Sequence, residues 1–119
     1  MIRKGTIEEQ ENRDRFTKLR SMLRRAWMRD TERAACIRDS RIPYIGDNKR
    51  RKWSYICVNC DCYFMQDEIV VDHIKPCGTF LCDEDFKTFV PYLFCHRSHL
   101  QILCKNCHKI KTLEERRNK

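Results

Sequence analysis

The chain has 119 residues, nine of them cysteines, and its 25 lysines and arginines against 17 acidic residues give a net charge of +8. A chain of this length is expected to form one small domain with extensions, and a metal staple would help to stabilise so limited a core. No apolar run is long enough to span a membrane, and the charged N-terminus lacks a signal-peptide core. We therefore expect a cytoplasmic protein with no membrane partner.

The positive charge is concentrated in the first part of the chain. Residues 1–52 contain 16 lysines and arginines against 8 acidic residues, whereas residues 53–119 contain nine of each. This asymmetry predicts a basic helical N-terminal extension and linker over residues 1–52, followed by a neutral domain over residues 53–119. Such an extension favours a polyanionic partner, most simply nucleic acid, although a solvated basic helix that aids solubility is the alternative.

A first helix is predicted over residues 7–28, where apolar side chains recur at helical spacing. These positions are Phe16, Leu19, Met22, Leu23, Ala26 and Trp27. We expect this face to pack on the core, with a partner-binding face as the alternative. Basic side chains flank it and are candidate phosphate ligands, namely Arg13, Arg20 and Arg24 on one side and Lys18, Arg25 and Arg29 on the other.

A second helix, ending near residue 38, is predicted because Asp30 or Thr31 can cap its N-terminus. Pro43 and the sequence at 46–48 then indicate a loop. The loop leads into a compact basic cluster, Lys49, Arg50, Arg51 and Lys52. This cluster is either a solvated linker or a set of contacts to phosphates.

The second half of the chain shows mixed strand and helix signals. Strands are predicted at residues 53–56 and 62–64, which form a hairpin, and at residues 69–74 and 100–103. A helix with apolar spacing is predicted from Phe86 onward, and Pro91 is expected to end or kink it. A final helix is predicted to follow the last strand, to about residue 116.

Two Cys-x-x-Cys pairs, Cys57 with Cys60 and Cys104 with Cys107, predict a structural zinc site. Two pairs and an odd total of cysteines favour a metal in a reducing compartment over a disulfide scaffold. The remaining cysteines are Cys36, Cys62, Cys77, Cys82 and Cys95, for which packing as free thiols is the expected role. A second site made by Cys77, Cys82, Cys95 and His96 is the alternative.

If zinc joins the two pairs, His108 is brought beside the strand that carries Asp72 and His73. One carboxylate and two imidazoles are sufficient to hold a catalytic metal and to supply a general base near pH 7. Adjacent strand residues point to opposite faces, so Asp72 and His73 can serve one site only at a twist or a strand end. Taken singly, His73 would be a hydrogen-bonded structural histidine, Asp72 a surface carboxylate and His108 a zinc ligand.

With these motifs in this order, residues 53–112 resemble the HNH endonucleases, in particular the zinc-bearing kind common in bacteriophages. The matching motifs are Cys57/Cys60, Val71-Asp72-His73-Ile74-Lys75-Pro76, Leu93-Phe94-Cys95, Leu100-Gln101-Ile102-Leu103-Cys104, Cys107-His108 and Lys111-Thr112. The resemblance implies an α+β fold: a small ββα-metal (HNH) domain stapled by a zinc site of four cysteines. It also implies that Asp72 and His108 hold the catalytic metal and that His73 is the general base.

The same resemblance implies hydrolysis of double-stranded DNA with Mg2+ or Mn2+ as the catalytic metal, although imidazole ligands also admit Zn2+, Ni2+ or Co2+. Phage packaging proteins are further expected partners, and a phage-encoded chain would act in the host cytoplasm. The expected DNA contacts are Arg20, Arg24, Arg25, Lys49, Arg50, Arg51, Lys52 and Lys111. For Lys111, a solvated lysine is the alternative. The competing hypotheses are a zinc-stapled DNA-binding module without catalysis and a protein-interaction adaptor.

One position departs from the family pattern. His99 stands where the family usually has an asparagine that braces the loop and orients the base. An imidazole can donate one hydrogen bond to a backbone carbonyl, so we expect His99 to brace the loop. Ligation of the metal by His99 is the alternative.

Overall fold

The computed structural model describes residues 6–117 as a mixed α+β fold with four α-helices and five short strands in that range. The helices are α1 (Ile7–Trp27), α2 (Thr31–Ser40), α3 (Phe86–Leu93) and α4 (Lys105–Arg117). The strands are β1 (Ile42–Pro43), β2 (Trp53–Ile56), β3 (Tyr63–Phe64), β4 (Ile69–His73) and β5 (Leu100–Cys104). No helix within residues 6–117 is both long and apolar enough to cross a membrane.

The first helix begins with a capping box. The Thr6 side chain accepts a hydrogen bond from the Glu9 backbone N–H, and the Glu9 carboxylate accepts one from the Thr6 N–H. The predicted apolar face is only partly buried, because Trp27 lies in the core whereas Leu19 and Met22 are exposed. The C-terminal end of α1 therefore docks on the domain, and its apolar face is not covered along its whole length.

The second helix, α2, is capped by Asp30, whose side chain accepts a hydrogen bond from the Glu32 N–H, one of the two caps predicted. It buries Ala35 and Cys36 and packs on β4 and β5. Arg97, in the turn before β5, forms a 2.8 Å ion pair with Glu32 and a 3.4 Å ion pair with Asp39. The start of β5 is therefore fastened to α2.

The strands form two antiparallel sheets, ordered β1-β2-β3 and β4-β5. In the first sheet, Pro43 of β1 pairs with Trp53 of β2, so residues on both sides of the predicted boundary at residue 52 share a sheet. In the second sheet, the register pairs Asp72 with Gln101 and His73 with Leu100. Because successive residues of a strand point to opposite faces, Asp72 and His73 project to opposite faces of this sheet. Asp72 shares its face with Gln101, and His73 shares its face with Leu100.

Helix α3 continues through Pro91 and ends at Leu93, two residues beyond the proline. Phe89 and Leu93 are fully buried, and the Phe80 ring stacks on Phe89 with a centroid separation of 5.3 Å. The main core joins this helix to β4, β5 and the end of α1. Its buried members are Trp27, Cys36, Tyr55, Ile69, Val71, Cys77, Phe80, Phe89, Leu93, Leu100 and Ile102.

The surplus cysteines are distributed between core and surface. Cys36 and Cys77 are buried in the core and Cys95 packs against it, as expected for free thiols. Burial raises the pKa of each of these three thiols, which keeps them protonated. Cys62 and Cys82 are exposed.

Candidate metal centre

Four cysteine sulfurs converge on one point. The Sγ atoms of Cys57, Cys60, Cys104 and Cys107 all lie within 4.8 Å of one another. Within residues 6–117, they form the only group of three or more His, Cys, Asp or Glu ligands that is close enough to share a metal ion. The two Cys-x-x-Cys pairs are therefore brought together as predicted, and they can hold a metal such as zinc.

The first pair is positioned by the hairpin of β2 and β3. The Cys57 N–H donates to the Cys62 carbonyl at 3.1 Å, and the Cys57 carbonyl accepts from the Asp61 N–H at 2.9 Å. Asp61 adopts a left-handed conformation with φ of 60°, which closes the tight turn. The Val58 N–H donates to the Ile102 carbonyl, so the turn is also attached to β5.

The second pair lies where β5 becomes α4. Cys104 ends the strand, and Cys107 lies in the first turn of the helix. The Cys107 N–H donates to the Cys104 sulfur, and the Asn59 amide donates to the Cys107 sulfur, both at 3.4 Å. The Asn59 hydrogen bond lowers the pKa of the Cys107 thiol, but a hydrogen bond shared with Cys104 and burial outweigh it and raise that pKa.

Backbone donors, by contrast, favour ionisation of Cys57. Burial raises the pKa of its thiol, but hydrogen bonds from the backbone of Cys104, Cys60 and Asn59 outweigh burial and lower the pKa to about 6. Three of the four cysteines are buried, and Cys60 is exposed. A backbone hydrogen bond from Cys62 lowers the pKa of Cys60, but burial and hydrogen bonds shared with the other thiols outweigh it and raise that pKa to about 12. The cluster therefore presents four sulfurs around one point, with the Cys60 edge open to solvent.

On one face of the β4-β5 pair, Asp72 and His108 come together. His108 Nε2 lies 3.5 Å from Asp72 Oδ1, because α4 packs against both β4 and β5. The Gln101 amide donates to Asp72 Oδ2 at 2.8 Å from the facing position on β5. Asp72 is buried while the His108 side chain is 40 % exposed, so the pair opens to solvent on the α4 side.

Lys111 also reaches this carboxylate. Its Nζ lies 3.1 Å from Asp72 Oδ2 and donates to the His73 carbonyl at 2.9 Å and to the Glu115 carboxylate. Burial lowers the pKa of Lys111, but hydrogen bonds to Glu115 and Asp72 outweigh this and raise it. A cleft of about 410 Å³ adjoins this group, lined by Val58, Asn59, Gln101, Leu103, Cys107, Ile110, Lys111 and Glu114.

His73 lies on the other face, in the core. Its ring packs on Trp27 with a centroid separation of 4.5 Å, and its Nε2 is 2.9 Å from the Leu93 carbonyl at the end of α3. Burial lowers the pKa of His73, and the positive charge of Arg24 acts in the same direction. The structure thus brings Asp72 and His108 together and places the His73 ring against Trp27.

His99 lies in the turn before β5 and is exposed. Its carbonyl accepts a hydrogen bond from the Ile74 N–H at 3.0 Å, and its own N–H donates to the His96 carbonyl. The connection between the two strands is therefore braced through the backbone of His99.

The predicted DNA contacts occupy different environments. Lys49, Arg50, Arg51, Lys52 and Arg25 are exposed. The Arg20 guanidinium lies 5.8 Å from the centre of the Phe89 ring, and burial lowers its pKa. Arg24 is half-buried, with an Nε that has no hydrogen-bond partner among residues 6–117.

Three residues of this region were not predicted from the sequence as part of the site. Gln101 supports Asp72, and the strand pairing could have identified it, because a hairpin register places it opposite Asp72. Glu115 could have been found as the residue one helical turn beyond Lys111. Trp27 carried no such signal, since its contact with His73 depends on how α1 docks.

Comparisons of the chain with protein-family models, with curated proteins and with solved structures find no match.

Proposed function

We propose that the protein is a metal-dependent HNH endonuclease that hydrolyses phosphodiester bonds of double-stranded DNA. The observation that carries the proposal is the 3.5 Å approach of His108 to Asp72 beside the four-cysteine cluster. A carboxylate and an imidazole at this separation fit the ligands of one divalent ion. The resemblance described above supports the same assignment, including a role in phage DNA processing or packaging.

The chemistry divides between the metal and the protein. A bound divalent cation would supply charge stabilisation at the phosphate and at the leaving oxygen. Asp72 and His108 would hold it, and Gln101 orients the Asp72 carboxylate through its 2.8 Å hydrogen bond. The fit rests on the donor set itself, one carboxylate and one exposed imidazole, which suits Mg2+ or Mn2+ with water completing the shell.

His73 is the proposed general base, a role that requires its ring, which lies on the opposite face from Asp72, to reach the metal site around the end of β4. The Leu93 carbonyl can only accept a hydrogen bond, so Nε2 of His73 carries the proton of that bond. In the neutral ring, the free lone pair is then on Nδ1, which becomes the proton acceptor. Since burial lowers its pKa, His73 is neutral at pH 7, the form that a base requires.

A second function is favoured by one observation. His73 is only 9 % exposed and is covered by Trp27, which suits a structural histidine. The alternative is therefore a zinc-stapled DNA-binding or adaptor module without catalysis. The two functions differ in whether the purified protein cuts DNA.

Plasmid nicking by the zinc-loaded protein, with Mg2+ or Mn2+ and with EDTA as the control, tests the proposal. His73→Ala leaves the Leu93 carbonyl without its buried donor, so His73→Gln is tested beside it. Both variants should lose about a hundredfold or more in cleavage rate. The matched control is His96→Asn, which alters an exposed histidine, keeps a side chain able to cap the Ser98 N–H and should cut at the wild-type rate.

Asp72→Ala and His108→Ala should also abolish cleavage, but by weakening metal binding. Excess Mn2+ should therefore partly restore these two variants and should leave His73→Gln inactive. Wild-type protein that binds DNA but never nicks it would favour the binding module. Cleavage by His73→Gln at the wild-type rate would remove His73 as the base.

His99→Asn restores the usual family residue and separates the two roles open to His99. Because the brace runs through the backbone, we expect the asparagine variant to retain its activity and its metal affinity. A fall in metal affinity with a changed metal preference would instead identify the imidazole as a ligand.

A further inference from the structure

The ammonium group of Lys111 lies among oxygen atoms. Four oxygens surround Nζ, two from Asp72 at 3.1 and 3.4 Å, the His73 carbonyl at 2.9 Å and one from the Glu115 carboxylate. An ammonium group has only three protons to donate, so this shell contains more acceptors than the lysine can satisfy at once.

The composition of this shell is that of a hard-cation site. Mg2+ and Mn2+ prefer carboxylate and carbonyl oxygens, and Mg2+ binds them at about 2.0–2.1 Å. Nitrogen to oxygen hydrogen bonds are about 2.7–3.2 Å long, so a divalent ion at the position of Nζ would draw each oxygen inward by about 1 Å. His108 Nε2 lies 3.5 Å from Asp72 Oδ1, one of the oxygens of this shell.

We propose that Lys111 is a built-in cation that occupies the divalent-metal position, and that a metal binds there by displacing the ammonium group, with Glu115 as an additional ligand. The inference rests on the proposed metal site at Asp72 and His108. It assigns two roles beyond that site, competition with the metal to Lys111 and ligation to Glu115. With Lys111 among them, Asp72, His108 and Glu115 are too far apart to share an ion, so the Glu115 carboxylate must move inward when the ammonium group leaves.

The geometry of α4 makes the exchange feasible. His108, Lys111 and Glu115 lie three and four residues apart, so their side chains share one helical face. The side chains of Lys111 and Glu115 are 25 % and 34 % exposed, which leaves both free to move toward solvent. The buried Asp72 carboxylate is held by Gln101 and remains in place when the lysine departs.

The test is Mn2+ binding to the full-length, zinc-loaded protein, measured from the electron paramagnetic resonance signal of free Mn2+. Lys111→Met removes the charge and keeps most of the side-chain length, and we expect it to bind Mn2+ about tenfold more tightly or better. Lys109→Met is the matched control, because Lys109 is an exposed lysine on the same helix. No gain for Lys111→Met over Lys109→Met would overturn the competition.

Glu115 is tested in the background that lacks the lysine, since Glu115 also contacts Lys111 in the wild type. Adding Glu115→Gln to Lys111→Met should weaken Mn2+ binding by about tenfold, the loss expected when one charged ligand is neutralised. Adding the exposed neighbour Glu114→Gln instead should leave the affinity within about twofold of Lys111→Met alone. Equal affinities for the two double variants would overturn the role of Glu115.

Wild-type protein provides a measurement that does not depend on the folding of any variant. With 13C-labelled lysine, the Cε–Hε signal of Lys111 should shift when Mg2+ is added, whereas that of Lys109 should not. An unmoved Lys111 signal at saturating Mg2+ would overturn the displacement.

Plasmid nicking, measured in parallel, separates this inference from the proposed function. Tight Mn2+ binding by Lys111→Met in a protein that never cuts DNA would support the inference and remove the nuclease. Metal-dependent cutting by the wild type, with Mn2+ affinity unaffected by Lys111→Met, would support the nuclease and overturn the competition by Lys111.

Discussion

At the scale of single residues, His73 joins two elements of the core. Its imidazole donates to the Leu93 carbonyl, one of the last carbonyls of α3, which has no partner within the helix. The ring is also covered by Trp27. His73 therefore stabilises the fold whatever its part in catalysis, and its substitution has structural consequences.

The lowered pKa of His73 predicts a loss of stability in mild acid. Burial keeps its pKa in the folded state below the ordinary value of about 6.5, so the unfolded chain takes up the proton first as the pH falls. The contribution of this residue to the free energy of unfolding is therefore complete above about pH 7 and declines below about pH 6.5. Thermal denaturation between pH 5.5 and 7.5 should show a steeper fall in Tm for the wild type than for His73→Gln.

Trp27 offers a second prediction at this scale. Its indole N–H is buried without a hydrogen-bond partner among residues 6–117, while its ring packs on His73. Trp27→Ala should lower the free energy of unfolding by about 3–5 kcal/mol, the usual cost of emptying a large aromatic site. Trp27→Phe should cost much less, because it keeps a ring and removes an unpaired buried donor. Urea denaturation measures both, and equal losses would show that the indole N–H has a partner.

At the scale of elements, the two cysteine pairs connect the β2-β3 hairpin to the end of β5 and the start of α4. Cys104→Ser should therefore lower the zinc content and the cooperativity of unfolding together, since a structural metal contributes folding energy directly. Metal analysis and circular dichroism on the same sample provide the measurement. Cys82→Ser, an exposed cysteine outside the cluster, should keep both. A well-folded Cys104→Ser protein without zinc would show that the metal is not a staple.

The elements themselves were largely predictable. The runs of apolar and β-branched residues predict both ends of β4 and of β5 to within one residue. Asp30, as a capping residue, predicts where α2 begins. Strand β1 lies within the predicted loop, because two residues are too few to show alternation and one of them is Pro43. Helix α3 continues past Pro91 because the proline lies in its last turn, where the loss of one N–H leaves the remaining hydrogen bonds intact.

The site was predictable only in part, for a physical reason. Cys-x-x-Cys spacing and the order of the motifs indicated the cysteine cluster and the approach of His108 to Asp72. The position of His73 depends on the docking of α1, since Trp27 and Arg24 come from a helix that precedes it by more than 40 residues. Helical periodicity shows which face of α1 is apolar, but it does not show which side chain that face will cover.

At the scale of the whole molecule, the basic segment is also a part of the fold, as its described residues 6–52 show. Residues Ile42–Pro43 pair with β2, and α2 fastens the turn before β5 through Glu32 and Arg97. Deleting residues 1–52 would therefore expose the core along with removing the positive charge. Charge substitutions are the appropriate test of DNA binding.

Replacing Lys49, Arg50, Arg51 and Lys52 with glutamine should weaken binding to duplex DNA and flatten its dependence on salt. Each phosphate contact contributes about 0.9 to the slope of log affinity against log salt, so up to about 3–4 units of slope should be lost. The control replaces four exposed residues of α4, Lys105, Lys109, Arg116 and Arg117, and matches the change in net charge. Fluorescence anisotropy at several salt concentrations gives the slope, and equal slopes for both variants would show that the cluster makes no specific contribution.

The cysteine cluster has a consequence for the continuity of the chain. Residues 81–84 are exposed and lie between β4 and β5, so each side of this segment carries one Cys-x-x-Cys pair and one strand of the same sheet. A protease that cuts there would produce two fragments that no covalent bond joins. With zinc in place, the nicked protein should still elute as one species in gel filtration, and a chelator should release it as two. Metal coordination by the four cysteines would then hold the two fragments together reversibly after the chain is cut.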